Sequence, residues 1–380
     1  MDLSEIRKEI DSIDKQIVEL FRKRMDCSVK VAESKKETNT PILNTAREEV
    51  VLDNVEKLGK EYGKYARILY SNIMELSRDL QHTIMHSGKE LKHIIDTADK
   101  EFDTHSDKWN IACMGMSGSN SHLAAVGFFP NANISLEKNF DKVFEAVESD
   151  KCDFGVLPVE NSSAGSVSRV YDLILKYRYY IVGEIDLPIE HCLCSIPQTN
   201  LSDIEYVLSH EQGLSQCSLF LSENGFQLKK CGSTSAAAKT VAEEKRINWA
   251  AICNKQAADQ YGLKVLDKNI QNSDNNCTRF IVISKKPIIA NNAEKISLCF
   301  SLPHKSGSLY NVLCRFASHG MNLTKIESRP MDGATFEYLF YLDFQGNVHS
   351  QEVVNLLCAL SEELPEFSFL GNYKADKITY

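Results

Sequence analysis

No stretch of the 380-residue chain approaches the roughly 20 consecutive apolar residues of a membrane span. The opening residues, Met1-Asp2-Leu3-Ser4-Glu5-Ile6-Arg7, lack the basic-then-apolar layout of a signal peptide, and a cytoplasmic protein is expected. Among 12 cysteines there is no CxxC pair. The closest two, Cys192 and Cys194, have a CxC spacing that suits neither a zinc knuckle nor a thioredoxin-type site, so reduced, structural cysteines are expected. A basic excess is missing as well. The 43 Lys and Arg stand against 52 Asp and Glu, a net charge of −9 that argues against bulk binding to nucleic acid or an acidic membrane. A small anion held by local arginines stays compatible with it. His82 and His86 have the i, i+4 spacing of a helical metal pair, but no HExxH surrounds them, so an ordinary exposed pair and no metal are expected.

What is present is ordinary globular material, 43% hydrophobic and 25% charged, in a length that predicts two to three domains at roughly 150 residues each. Three segments differ in period. In the first, Leu3, Ile6, Ile10, Ile13, Ile17 and Leu20 recur at spacings of three and four, the apolar seam of a coiled-coil-like helix, uninterrupted by Gly or Pro before Pro41. Further helices are expected from about Asn44 or Thr45 and over residues 65–86. From Trp109, short apolar runs at 111–114, 154–157, 180–182, 206–208, 250–252 and 280–283 alternate with helical stretches at 141–148, 214–223 and 235–245. That alternation predicts an α/β domain with a largely parallel sheet, long enough for two lobes and a cleft. The last segment reads strand 296–302, helix 308–319, strand 322–327, strand 335–344, helix 351–363, strand 367–371. This βαββαβ order is the α+β ferredoxin-like arrangement. The expected division is an all-α domain 1–90, a linker 91–108, an α/β domain 109–286, a linker 287–295 and an α+β domain 296–373.

Helix geometry sorts the charges of the first domain. Arg24 and Lys35 fall within about 20° of one face and about 16 Å apart along the axis, so their side chains can converge on one anion. Arg7 lies about 100° away from Arg24, and a second protomer would have to supply it. Ser77 and Gln81, and Asn44 and Glu48, are i, i+4 pairs. Taken singly, each of the arginines and lysines reads better as a solvated surface group. Taken in order across three helices, Arg7, Arg24, Lys35, Asn44, Arg47, Glu48, Ser77 and Gln81 resemble the all-helical chorismate mutase family over about the first 90 residues. The resemblance implies that Arg7 of one protomer and Arg24 and Arg47 of the other hold the carboxylates of chorismate. Lys35 and Gln81 would face the ether oxygen, and Glu48 would bind the ring hydroxyl with Ser77 nearby. The Claisen rearrangement to prephenate needs no nucleophile or cofactor, only a folded substrate and stabilisation of charge on the ether oxygen. Asn44 stands where the family often has an acid, so weakened rather than lost activity is expected.

In the middle segment, polar residues gather where strands end: Gly115-Met116-Ser117-Gly118-Ser119-Asn120-Ser121, Glu160-Asn161-Ser162-Ser163, Gln216-Cys217-Ser218, Ser233-Thr234-Ser235-Ala236-Ala237 and Thr278-Arg279-Phe280. Strand ends of α/β sheets are where ligands bind. Turn and capping chemistry accounts for any one of these loops alone. The last four together, in this order, resemble the prephenate dehydratase family over residues 109–285. The resemblance implies a two-lobed fold like type II periplasmic binding proteins, with prephenate in the cleft. Thr278 would be catalytic, assisting departure of the C4 hydroxyl as water while CO2 leaves. Arg279 would bind a carboxylate or brace the loop. Glu160, Asn161, Gln216, Ser119, Ser121, Ser233 and Thr234 would line the cleft. Asn120 replaces a usual aromatic, and Met116-Ser117 a proline-led pair.

In the last segment, Gly307-Ser308-Leu309 precedes a helix and Glu327-Ser328-Arg329-Pro330 ends a strand. A helix cap and a strand-ending turn would explain both. Their position after a dehydratase-like domain makes the segment resemble the ACT regulatory domain, which implies L-phenylalanine bound by these residues at a dimer interface.

The whole resembles the bifunctional chorismate mutase/prephenate dehydratases. That implies a cytoplasmic homodimer or larger homo-oligomer, without cofactor, acting in phenylalanine synthesis under feedback by phenylalanine. Two other readings stay open: an amino-acid sensor on a decayed binding fold, and a dehydratase acting on arogenate.

Overall fold

The computed structural model describes residues 2–101, 103–273, 275–331 and 337–377. Two compact units emerge. One joins the residues up to Thr97 with Lys295–Phe369, and the other joins Ala98–Glu294 with the residues from Leu370. The first and last of the three expected domains therefore pack as one body.

Helix α1 (Leu3–Thr38) opens on a capping box between Asp2 and Glu5 and stops at Asn39, which adopts the left-handed conformation (φ 50°). Its apolar seam lies open on the single chain: Ile10, Ile13 and Ile17 are 49%, 47% and 53% exposed. Helix α2 (Thr45–Leu58) is capped by Asn44 and has no fully buried residue. Helix α3 (Gly63–Met85) carries the buried face of the bundle, including Met74, Ser77, Arg78 and Gln81. Helix α4 (Lys89–Thr97) occupies much of what was expected as a linker. Leu91 and Ile95 are buried on one side of it, enough to hold the turns together.

The second unit runs β1 (Asn110–Met114), α5 (Asn120–Phe128), β2 (Asn133–Glu137), α6 (Phe140–Glu148), β3 (Phe154–Asn161), β4 (Gly165–Ser166), α7 (Ser168–Tyr177) and β5 (Tyr180–Pro188). It continues with β6 (Cys192–Ser195), β7 (Tyr206–Ser209), α8 (Glu211–Gln216), α9 (Ser218–Asn224), β8 (Gln227–Lys230), α10 (Thr234–Glu244), β9 (Trp249–Cys253), α11 (Lys255–Gln260), β10 (Lys264–Asp267) and β11 (Cys277–Ser284). The helix expected over 214–223 is two, interrupted at Cys217.

The C-terminal module follows as β12 (Lys295–Ser301), α12 (Ser308–Ser318), β13 (Leu323–Pro330), β14 (Tyr338–Gln345), α13 (Gln351–Glu363) and β15 (Ser368–Tyr373), the expected βαββαβ order. Its sheet is ordered β13-β14-β12-β15. The expected start of the third strand at Thr335 lies outside the described residues. A last strand, β16 (Ala375–Lys377), belongs to the second unit.

The second unit holds two sheets, β16-β5-β11-β3-β1-β2 with β4 beside β3, and β10-β6-β9-β7-β8. This is the two-lobed construction, but the sheets are mixed rather than largely parallel. Strand β11 runs antiparallel to both β3 and β5, and β6 antiparallel to β9 and β10. The cause is topological. The chain leaves the first sheet after β5, builds the second, and returns through β11. Ile111, Val156, Phe280 and Val282 share one lobe's core, while Ala237, Val241, Ala251 and Ala257 share a core in the other.

Candidate active sites

In the first unit, α1 and α3 bring four of the expected residues together. Arg24 donates from Nη1 to the Ser77 hydroxyl at 2.8 Å. Lys35 donates to Gln81 Oε1 at 3.2 Å and to the Ile42 carbonyl at 2.5 Å. Gln81 Nε2 in turn reaches the carbonyl of Ser77, one turn back on α3. Burial lowers the pKa of Lys35, Glu48 opposes that and Arg78 adds to it. Glu48 stands at the first turn of α2 and meets Arg78 Nη1 at 2.5 Å.

Three expected residues lie apart. Arg7 is exposed on α1, about 25 Å along the axis from Arg24. Arg47 is exposed on α2. Asn44 spends its carbonyl oxygen on the α2 cap, accepting from the Arg47 amide at 3.0 Å. His82 is not an exposed residue. It is buried, with Nε2 2.7 Å from Glu363 and Nδ1 2.9 Å from the Ser87 hydroxyl. Arg78 was missed, because nothing local distinguishes an arginine that faces inward.

In the second unit, the antiparallel return of β11 sets Thr278 directly opposite Asn161 on β3. Asn161 Nδ2 lies 2.9 Å from Thr278 Oγ1, 3.0 Å from Asn276 Oδ1 and 3.2 Å from the Cys277 carbonyl. Asn161 Oδ1 accepts from the amides of Ser163 and Ala164, and from Gln216 Nε2 at 3.5 Å. Gln216 Oε1 accepts from His191 Nε2 at 2.9 Å. Burial lowers the His191 pKa against a smaller opposing effect of its Gln216 hydrogen bond. His191 escaped the sequence reading of the site, and Asn276, in the polar segment just ahead of Thr278, had no role assigned to it. The signal for Asn276 was its place two residues before Thr278, and for His191 its place at the mouth of β6. A cleft of about 530 Å³ opens beside Gln216 and Asn276, walled by Ser163, Gln212 and Gln271.

Other expected residues stand at strand ends around these lobes. Ser119 caps α5 after β1, and Ser233 caps α10 after β8; Thr234 is the first residue of α10 and Ser121 is buried in α5. Capped helix N-termini at the C-terminal ends of parallel strands favour an anion. Asn254 ties the two lobes, donating to the Gly118 carbonyl and to Asn120 Oδ1, each at 2.9 Å. Gly118 sits at φ +78°, and a Cβ there would lie 2.9 Å from the backbone of Ala257, so only glycine allows this approach.

Glu160 and Arg279 do not face this network. Successive strand residues point to opposite faces, so neighbours of Asn161 and Thr278 turn away. Arg279 is held by Glu160 at 3.0 Å, Glu184 at 3.2 Å and Asp186 at 3.3 Å. Three carboxylates satisfy the guanidinium, which braces β3, β11 and β5 rather than presenting a free cation to a ligand.

In the C-terminal module, Gly307 caps α12 at φ +87°, with Ser308 and Leu309 opening that helix. Glu327, Ser328, Arg329 and Pro330 lie on β13, an edge strand of its sheet, where burial alternates along the strand.

Comparisons with known proteins place family matches on two of these regions. The chorismate mutase type II family model matches residues 6–82, and the prephenate dehydratase model residues 111–288. The bifunctional chorismate mutase/prephenate dehydratase of Buchnera aphidicola subsp. Schizaphis graminum is 32% identical, over 100% of this chain and 98% of that one. Arogenate dehydratase/prephenate dehydratase 1, chloroplastic, of Arabidopsis thaliana is 38% identical over 73% of this chain and 74% of its own. The crystal structure of prephenate dehydratase from Arthrobacter aurescens in complex with L-Phe superposes with a TM-score of 0.64 at 30% identity, covering 70% of this chain and 89% of that one.

Proposed function

The chain belongs to the bifunctional chorismate mutase/prephenate dehydratases, and on that premise we propose how its residues divide the two reactions. It is an isomerase that rearranges chorismate to prephenate, and a lyase that converts prephenate to phenylpyruvate, in phenylalanine biosynthesis.

For the mutase step, Arg24 binds a substrate carboxylate, and Lys35 and Gln81 turn from each other to the ether oxygen as the C–O bond breaks. Their charge and N–H stabilise the oxygen there without a proton transfer. Glu48 takes the ring hydroxyl. Arg7 and Arg47 complete the carboxylate site, Arg7 from a partner protomer. The exposed seam of α1 supports this reading: a contiguous apolar stripe of that length is a surface for a second copy.

For the dehydratase step, Thr278 is the central residue. Its oxygen accepts from Asn161, which leaves its own O–H to donate to the C4 oxygen of prephenate. The C4–O bond breaks and the hydroxyl leaves as water with a proton that solvent supplies by relay through the Thr278 hydroxyl, while the bond to the ring carboxylate supplies the electron pair of the new aromatic ring as CO2 departs. Neither reaction oxidises or reduces a partner, so neither calls for a redox cofactor. The α5 and α10 N-termini at Ser119 and Ser233 suit the substrate's carboxylates.

The C-terminal module is read as an ACT domain that binds L-phenylalanine through Gly307, Ser308, Leu309 and the Glu327–Pro330 segment, lowering dehydratase activity. The L-Phe complex of the Arthrobacter aurescens protein supports that effector. The reading includes a cytoplasmic homo-oligomer; among the described residues no helix is long and apolar enough to cross a membrane.

The observation that carries the assignment is the Asn161–Thr278–Gln216 network beside its cleft. The test is purified protein with chorismate alone. Phenylpyruvate following prephenate is expected. Prephenate without phenylpyruvate would move the second site to arogenate, which the Arabidopsis thaliana relative's name includes.

A further inference from the structure

Helices α2, α3, α12 and α13 share a cluster of charges within the first unit, of which the two reactions use only Glu48. Arg78 is at its centre. Its Nη1 meets Glu48 at 2.5 Å, its Nη2 meets Glu75 at 2.5 Å, and its Nε lies 3.1 and 3.2 Å from the two oxygens of Glu363. Glu363 ends α13 of the C-terminal module. It also receives His82 at 2.7 Å and Arg315 Nη1 at 3.0 Å, and Arg315 pairs with Asp79. The side chains of Arg78 and Glu363 are 7% and 6% exposed, against 25% for Glu48. Among the carboxylates that Arg78 contacts, Glu48 is the most exposed, and it is the residue read as the hydroxyl ligand of chorismate.

A buried ion cluster is weak evidence of stabilisation, because desolvation consumes most of the Coulombic gain. What it supplies is fixed geometry. Helix α2 needs that: with no fully buried residue of its own, it is tied to α3 by polar groups, Arg78 with Glu48 and Arg67 with Glu49, Asp53 and Glu56. The forked guanidinium presents three edges to three carboxylates at once, so the position of Glu48 follows that of Glu363. The charges of Glu48, Arg78 and Glu363 also bear on Lys35.

We propose that Arg78 is a positioning residue of the mutase reaction, held by Glu363 of the C-terminal module and holding Glu48 toward the substrate. The module's last helix is thereby an outer layer of the mutase site. The inference rests on the reading of Glu48 as a substrate ligand.

The test compares mutase and dehydratase kinetics of the full chain in four forms: unchanged, Glu48→Gln, Glu363→Gln, and the two substitutions together. Glu48→Gln is expected to lower mutase kcat/KM about tenfold or more. Glu363→Gln should lower it about fivefold, mainly through KM for chorismate, with dehydratase kcat/KM on prephenate within about twofold. In the Glu48→Gln background, Glu363→Gln should add almost nothing, since its effect runs through Glu48. An equal loss in both backgrounds, or no loss in either, overturns the proposal while leaving the site reading intact. A fully active Glu48→Gln overturns both. If Glu363→Gln does not fold, Arg78→Lys replaces it: it keeps the charge, forfeits the fork, and should show the same dependence on Glu48.

Discussion

Asn161 donates to the hydroxyl of Thr278 at 2.9 Å, and the two residues are direct partners across an antiparallel strand pair. The hydroxyl oxygen is thereby occupied and its hydrogen is left for the substrate. Thr278→Ala should lower phenylpyruvate formation from prephenate more than about 100-fold and leave chorismate consumption unchanged. Asn161→Leu should cost about tenfold in the same assay. Equal loss of both activities in Thr278→Ala would contradict two separate sites.

The mutase should work at neutral pH, because Gln81 does not titrate. Lys35 does, and burial lowers its pKa. It is cationic below that value, so kcat/KM for chorismate should fall as pH rises, with the limb setting in below the usual lysine range. Lys35→Arg, which does not titrate there, should flatten the limb. A mutase profile with a strict acid optimum would contradict the assignment.

Burial acts to raise the Glu363 carboxyl, but the His82 hydrogen bond and the charges of Arg315 and Arg78 bring it down to about 2. A folded value below the unfolded one, about 4.3, means that this stabilisation is complete above the unfolded value and is lost as pH falls through the folded one. Glu75, raised by burial, acts in the opposite sense. Urea midpoints should therefore drop between pH ~5 and ~2, and Glu363→Gln should flatten that drop. Parallel curves for the two proteins would refute the linkage.

A site shared between protomers makes a quantitative prediction. Arg7→Ala and Lys35→Ala proteins, each inactive as a mutase, should recover about a quarter of normal activity when unfolded together and refolded, since half the dimers are mixed and each has one intact site. Ile10→Asp with Ile17→Asp should abolish both the dimer contact along α1 and this complementation, as seen by sedimentation. Recovery of nothing on mixing would put Arg7 and Lys35 of one site on the same protomer and contradict a shared site.

Phenylalanine should inhibit the dehydratase, and Arg329→Ala or Glu327→Ala should weaken that response. Gly307→Ala should do the same, because φ +87° strains any residue with a Cβ. Inhibition curves that superimpose for all three variants would remove the effector site.

Much of the architecture was legible in the chain. The α1 seam, the Asn44 cap and the βαββαβ order are local patterns, in which period and capping residue specify the element within a few positions. The motifs around Asn161, Gln216 and Thr278 were legible for the same reason, since each sits in a short segment at a strand end. Strands β2 and β8 were not, because both are partly exposed and carry weak apolar alternation.

By itself the sequence determined most of the helices and strands, and which family they compose. Tertiary structure alone decided the direction of β11, which places Thr278 on Asn161 and turns Arg279 to the other face among three carboxylates. It alone paired Arg78 with Glu363, 285 residues away. Periodicity records which face of an element is buried, but not which residue will meet it there. That choice is made when the faces pack, by the geometry of the charges and the cost of leaving any of them alone.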